Sequence, residues 1–121
     1  MADRLILNSA ATESTYTMFT SDIVSDILLM KAEMIRPKLH AATTQAGVLQ
    51  LELDQLLIRM NHAHMRSMRY VYKMRVHIVE RVLDIYRRYI AERWAEMQQL
   101  EYQLVDHGMD QAQAEHLVWV I

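Results

Sequence analysis

Apolar residues recur along this chain at helical spacing, in successive blocks. Phe19, Ile23, Ile27, Met30 and Met34 follow steps of three or four, which places them on one face of an α-helix. Val24, Leu28 and Ile35 widen that stripe, while Asp22, Asp26 and Glu33 mark a wet side. The pattern predicts a helix that starts near Ser14 or Ser21 and ends at Arg36. Pro37 is its expected stop and the expected first residue of the next helix, because it lacks an N–H and has a fixed φ. Residues 1–13 are small and mixed, and read as an N-terminal arm or short docking strand, with residues 14–121 as a single helical domain.

From Leu39 the spacing becomes a strict heptad: Leu39, Ala42, Ala46, Leu49, Leu53, Leu56, Met60, Ala63. Steps of three and four alternate throughout, as in a coiled-coil seam, and the alanines near its start allow close approach. Between Gly47 and Gly108 nothing forbids helix. Unbroken, that stretch would span about 90 Å, against a radius of gyration of about 14 Å for a compact domain of this size. Residues 38–107 therefore form either a hairpin or one long arm. The weak helix formers Asn61, His62 and Ser67 favour a bend between residues 61 and 67.

Residues 71–97 carry two adjacent stripes. One is Val71, Met74, Ile78, Val82, Ile85 and Tyr89. The other is Val76, Val79, Leu83, Tyr86, Ile90 and Met97, with Trp94 beside it. Two neighbouring stripes make a wide apolar face. Leu100 and Leu104 continue the seam. His107-Gly108 reads as a C-cap, Asp110 as an N-cap, and residues 111–121 as a short last helix whose apolar end should dock. The fold class expected is all-α: a bundle of three main helices, one of them very long if the bend is absent, plus a short C-terminal helix.

Composition narrows this further. Two Gly and one Pro in 121 residues leave little for turns and β structure, and ten Met suit helix. The absence of Cys excludes disulfides and thiolate sites, and fits a reducing compartment. No secretory signal opens the chain, and the longest apolar run, residues 117–121, is too short to span a bilayer. The expectation is a soluble, cytoplasmic protein without a membrane partner.

Charge raises a second possibility. Arg59, His62, Arg66, Arg69, Lys73 and His77 follow helical steps with no acid among them. Such a line can track a nucleic-acid backbone, and Arg59, Arg66, Arg69 and Lys73 are the candidate contacts. The plainer reading is a solvated face neutralised elsewhere, since no aromatic interrupts it for base stacking. Residues 59–88 hold eight Lys or Arg against Glu80 and Asp84, whereas Glu92, Glu96, Glu101 and Asp106 make the far end acidic. Two antiparallel copies would set Arg66 opposite Glu101 and Arg75 opposite Glu92.

Other chemistry is poorly supplied. Met60, His64 and Met68 would share a helix face and suit a soft metal, but methionine is more often core filler, and no metal or cofactor is expected. Two glycines cannot build a phosphate-binding loop, and there is no nucleophile elbow or His-Glu-x-x-His. The chain is therefore read as no enzyme. Arg75-Val-His-Ile-Val-Glu-Arg81 resembles, over a short stretch, a helix in the α-helical domain of GINS replication-complex subunits, with Ile78 where that family carries a basic residue. That resemblance implies an assembly subunit.

The apolar surplus points the same way. A helix in a small bundle needs one stripe, and residues 71–97 have two. The function expected is a non-enzymatic protein–protein interaction module (an assembly subunit, adaptor or chaperone-like protein) that associates with itself as a homodimer or joins a larger assembly. Val76, Val79, Leu83, Tyr86, Ile90, Trp94 and Met97 are the candidate interface, with nucleic-acid binding as the alternative.

Overall fold

The computed structural model describes the backbone of residues 9–120 and the side chains of residues 23–120. The protein is an all-α bundle: α1 (Ser9–His62), α2 (Arg66–Asp106) and α3 (Gln111–Glu115), followed by a short C-terminal π-helical segment, His116–Val120. No strand occurs among the described residues. Of the arm expected at residues 1–13, residues 1–8 lie outside the described residues, and residues 9–13 are helical.

Pro37 does not stop the first helix, contrary to the sequence expectation; α1 runs through it. The ring costs one backbone hydrogen bond and a steric clash, about 3 kcal/mol. Good helix formers flank it on both sides, and the buried alanines Ala32 and Ala42 lie one to two turns away on either side. Local propensity and packing outweigh one lost bond.

The chain divides into two compact units: Ile35–Glu96, and Met1–Met34 with Met97–Ile121. In the first, residues 63–65 turn the chain back within the stretch that the weak helix formers marked, so the hairpin and not the long arm is formed. The Ala63 N–H reaches the Met60 carbonyl at 3.4 Å and tightens the last turn of α1. Arg59 stands in that turn, where its positive charge suits the helix dipole, and His62 Nδ1 lies 2.8 Å from the Ile58 carbonyl. Arg69 Nη2 donates to the Ala63 carbonyl at 3.0 Å, and the Arg69 N–H donates to the Met65 carbonyl at 3.0 Å, opening α2.

The core of this unit joins Leu53 and Leu56 of α1 to Val76, Val79 and Leu83 of α2. Ala46, Leu49, Leu57 and Tyr72 pack against it. Every heptad position from Leu39 to Ala63 is buried or half-buried. Each fully buried aliphatic side chain contributes roughly 1.5–3 kcal/mol. Two polar links cross between the helices: Arg75 to Glu52 at 2.8 Å, and Arg87 Nη2 to Gln50 Oε1 at 2.7 Å.

In the second unit the buried positions among the described residues are Leu28 and Ala32 of α1, Met97, Leu100 and Leu104 of α2, and Ala114 and Val118. Here the structure reverses an expectation: Ile23, Ile27, Met30 and Met34 are exposed, and the flanking Leu28 and Ala32 face inward. Ala32 is fully buried, whereas the methionines on either side of it in sequence are exposed. Gly108 ends α2 at φ 97. Its N–H bonds the Val105 carbonyl at 3.0 Å and the Met109 N–H bonds the Leu104 carbonyl at 3.1 Å, which is a Schellman motif. Asp110 takes the N-cap position in extended conformation, without a side-chain cap bond. The apolar end docks within its own unit: Val118 is buried, and Trp119 Nε1 donates to Glu101 at 3.4 Å.

Two substitutions test the backbone reading. Pro37→Ala should stabilise the protein by about 1–3 kcal/mol by restoring a helix hydrogen bond. Gly108→Ala should destabilise it by roughly 1–2 kcal/mol, because only glycine is unstrained at that φ. Urea unfolding followed by circular dichroism measures both.

Candidate functional site

The residues nominated as an interface divide by burial. Val76, Val79 and Leu83 lie inside the hairpin core, with exposures of 5% or less. Tyr86 and Ile90 are half-buried. Met97 is buried in the other unit, and Trp94 is exposed. Most of that stripe is therefore already covered by this chain's own side chains. The surface left open on α2 is the neighbouring stripe: Val71, Met74, Ile78 and Ile85 are exposed, at 46–64%, with Val82 and Tyr89 half-buried between and beyond them.

The reason lies in register. The covered stripe follows the alternation of three and four that the Leu39–Ala63 heptad also follows, so the two seams match over their length. The open stripe contains two consecutive steps of four, at Met74, Ile78 and Val82, and drifts away from such a seam. That irregularity was the signal in the sequence that separated the inner stripe from the outer one.

Three grooves lie along the hairpin where the open stripe meets α1, one of them lined by Leu53 with Met74 and Ile78. The other two differ in chemistry. Lys38, Ala41, Ala42 and Gln45 of α1 line one, with Ile85, Tyr86 and Tyr89 of α2. The alanines leave space that the tyrosine rings only partly fill. Arg93 Cζ stands 5.2 Å from the Tyr89 ring centroid, and its Nη2 lies 3.2 Å from Glu96. Glu52, Gln55, Leu56 and Arg59 of α1 line the second groove, with Val71, Tyr72 and Arg75 of α2. The Arg75–Glu52 pair joins its two walls. Val48, Leu51 and Ile58 are further exposed apolar residues on α1.

The basic stripe is split by the turn. Arg59 and His62 end α1, whereas Arg66, Arg69, Lys73 and His77 belong to α2, so the six do not share one helix face. Arg59 lines the groove with Val71 and Arg75; Arg69 and Lys73 line a different one, with Leu57, Met60, Asn61, Val76, His77 and Glu80. Arg69 is engaged by the Ala63 carbonyl. His77 lies 3.9 Å from Glu80. All six are exposed.

Of the charges invoked for an antiparallel pair of copies, Arg75 and Glu101 are engaged within the chain. Arg75 is held by Glu52, and Glu101 accepts hydrogen bonds from Gln111 and Trp119. The turn at residues 63–65 removes the helical spacing that would have aligned Met60, His64 and Met68. No group of three His, Asp or Glu able to hold a metal occurs among the described residues. No helix among them is long and apolar enough to cross a membrane.

Comparisons with protein-family models, with curated proteins and with solved structures give no match, so the short GINS-like stretch gains no support from them.

The Arg75–Glu52 pair is substantially exposed, and fixes helix register more than it adds stability. A double-mutant cycle with Arg75→Met and Glu52→Gln should give a coupling of no more than about 1 kcal/mol. A coupling well above that would assign the pair a structural weight that its exposure does not suggest.

Proposed function

We propose that this chain is a non-enzymatic helical interaction module that associates with itself through apolar helix faces and serves as an assembly subunit or adaptor. The observation that carries this reading is the second stripe of α2. The hairpin core is already complete with Leu53, Leu56, Val76, Val79 and Leu83, yet Val71, Met74, Ile78 and Ile85 stay in water. A contiguous apolar surface beside a finished core is a cost in solution unless something covers it. The tyrosine-lined groove next to it supports the reading, since amphipathic aromatics suit interfaces.

The nucleic-acid alternative draws less support, because the turn distributes its bases over two helices and two grooves. A phosphate track would also make binding fall steeply with salt.

Absolute mass by light scattering, at low and high salt, tests the reading. The wild-type chain should form a discrete oligomer that persists in high salt. Ile78→Asp with Ile85→Asp should lower the mass while leaving helicity unchanged, since both side chains are exposed. Leu83→Asp, in the core, should instead unfold the hairpin. A wild-type chain that stays monomeric at high concentration would overturn the proposal. Salt-sensitive retention of DNA or RNA by the wild type, lost in Lys73→Glu, would favour the alternative.

A further inference from the structure

A second apolar seam lies open on α1, in the unit that contains Met1–Met34. Ile23, Ile27, Met30 and Met34 are exposed at 42, 48, 61 and 64%. The opposite side of the same helix turn supplies that unit's core through Leu28 and Ala32, with Val24 and Leu29 half-buried. The seam is therefore surplus to the packing of the described residues. Its steps of four, three and four are those of a heptad core, with Ile27 and Met34 at a and Ile23 and Met30 at d.

That register fixes what flanks the seam. Asp26 and Glu33 fall at g positions, and Lys31 falls at e. All three are exposed, and none makes an ion pair among the described residues. In a parallel pair of helices, each g residue meets the e residue five positions further along the other copy. Asp26 then meets Lys31 in both directions across the pair. An antiparallel pair would bring g to g and e to e, setting acid against acid and base against base. The charge pattern thus selects both the occupant and its direction.

We propose that the Ile23–Met34 face of α1 binds the same face of a second copy of this chain, parallel and in register, with Asp26 and Lys31 paired across the interface. The proposal rests on the self-association reading above, but uses a different surface and makes a separate prediction. The methionines at a and d accommodate imperfect complementarity, as flexible thioethers do. The seam joins helix that is already folded, so association needs no costly helix nucleation.

The absence of cysteine makes the test direct. A parallel, in-register pair places residue 27 of one copy against residue 27 of the other. Ile27→Cys alone should therefore form a disulfide-linked dimer under mild oxidation, much faster than Thr44→Cys on an exposed part of α1. Lys31→Glu in that background should weaken dimerisation about ten-fold, because two attractive pairs per dimer become repulsive. Adding Asp26→Lys to Lys31→Glu should restore the cross-linking rate, with helicity unchanged throughout. Ile27→Cys cross-linking no faster than Thr44→Cys, or only when mixed with Met30→Cys as an antiparallel pair requires, would overturn the proposal. So would indifference to the charge reversals. Should the wild type still be an oligomer in any of those cases, self-association stands and only this interface fails. A monomeric wild type removes both.

Discussion

Leu53 and Leu56 meet Val76, Val79 and Leu83 because residues 63–65 turn the chain back on itself, and the rest of the Ile35–Glu96 unit depends on that meeting. Fixing two helices against each other costs conformational entropy for every residue ordered, which only contiguous apolar burial can offset. The polar links at Arg75–Glu52 and Arg87–Gln50 are exposed, and choose among registers that burial alone would allow. Once one stripe of α2 faces inward, helical geometry carries its neighbour, about a quarter turn away, out into water. The open stripe of Val71, Met74, Ile78 and Ile85 is thus a geometric consequence of the closed one.

The helical class was legible throughout, because periodicity, scarce Gly and Pro, and abundant Met all agree. The bend was legible too: Asn61, His62 and Ser67 are poor helix formers in a stretch otherwise rich in good ones. Pro37 misled, since a proline penalty of a few kcal/mol is a local term and the helix on both sides of it contributes buried positions. The same limit applies at Ile23–Met34. The bulkiest side chains defined the obvious stripe, but the buried contact there uses Leu28 and the small Ala32, whose value is shape and not apolar area.

The candidate site was legible only as a surplus. The sequence pattern showed that residues 71–97 carry more apolar face than a small bundle uses, and the open stripe beside the completed core has that character. Which stripe is inner turned on whether each keeps the heptad alternation of the Leu39–Ala63 seam, and a count of apolar residues does not show this. The basic stripe is divided between two helices for a different reason. A helical wheel drawn across residues 59–77 assumes continuous helix, and the turn at residues 63–65 rotates Arg59 and His62 out of register with Lys73 and His77.

The orientation of α2 in the hairpin can be measured directly by native-state thiol labelling of two single-cysteine variants, Ile78→Cys and Leu83→Cys, in dilute solution. Burial of the Val76–Val79–Leu83 stripe predicts that the cysteine at position 83 reacts slower than the one at position 78, on the order of a hundred-fold, since it must wait for the hairpin to open. Equal rates, or faster labelling at position 83, would contradict the assignment of inner and outer stripes.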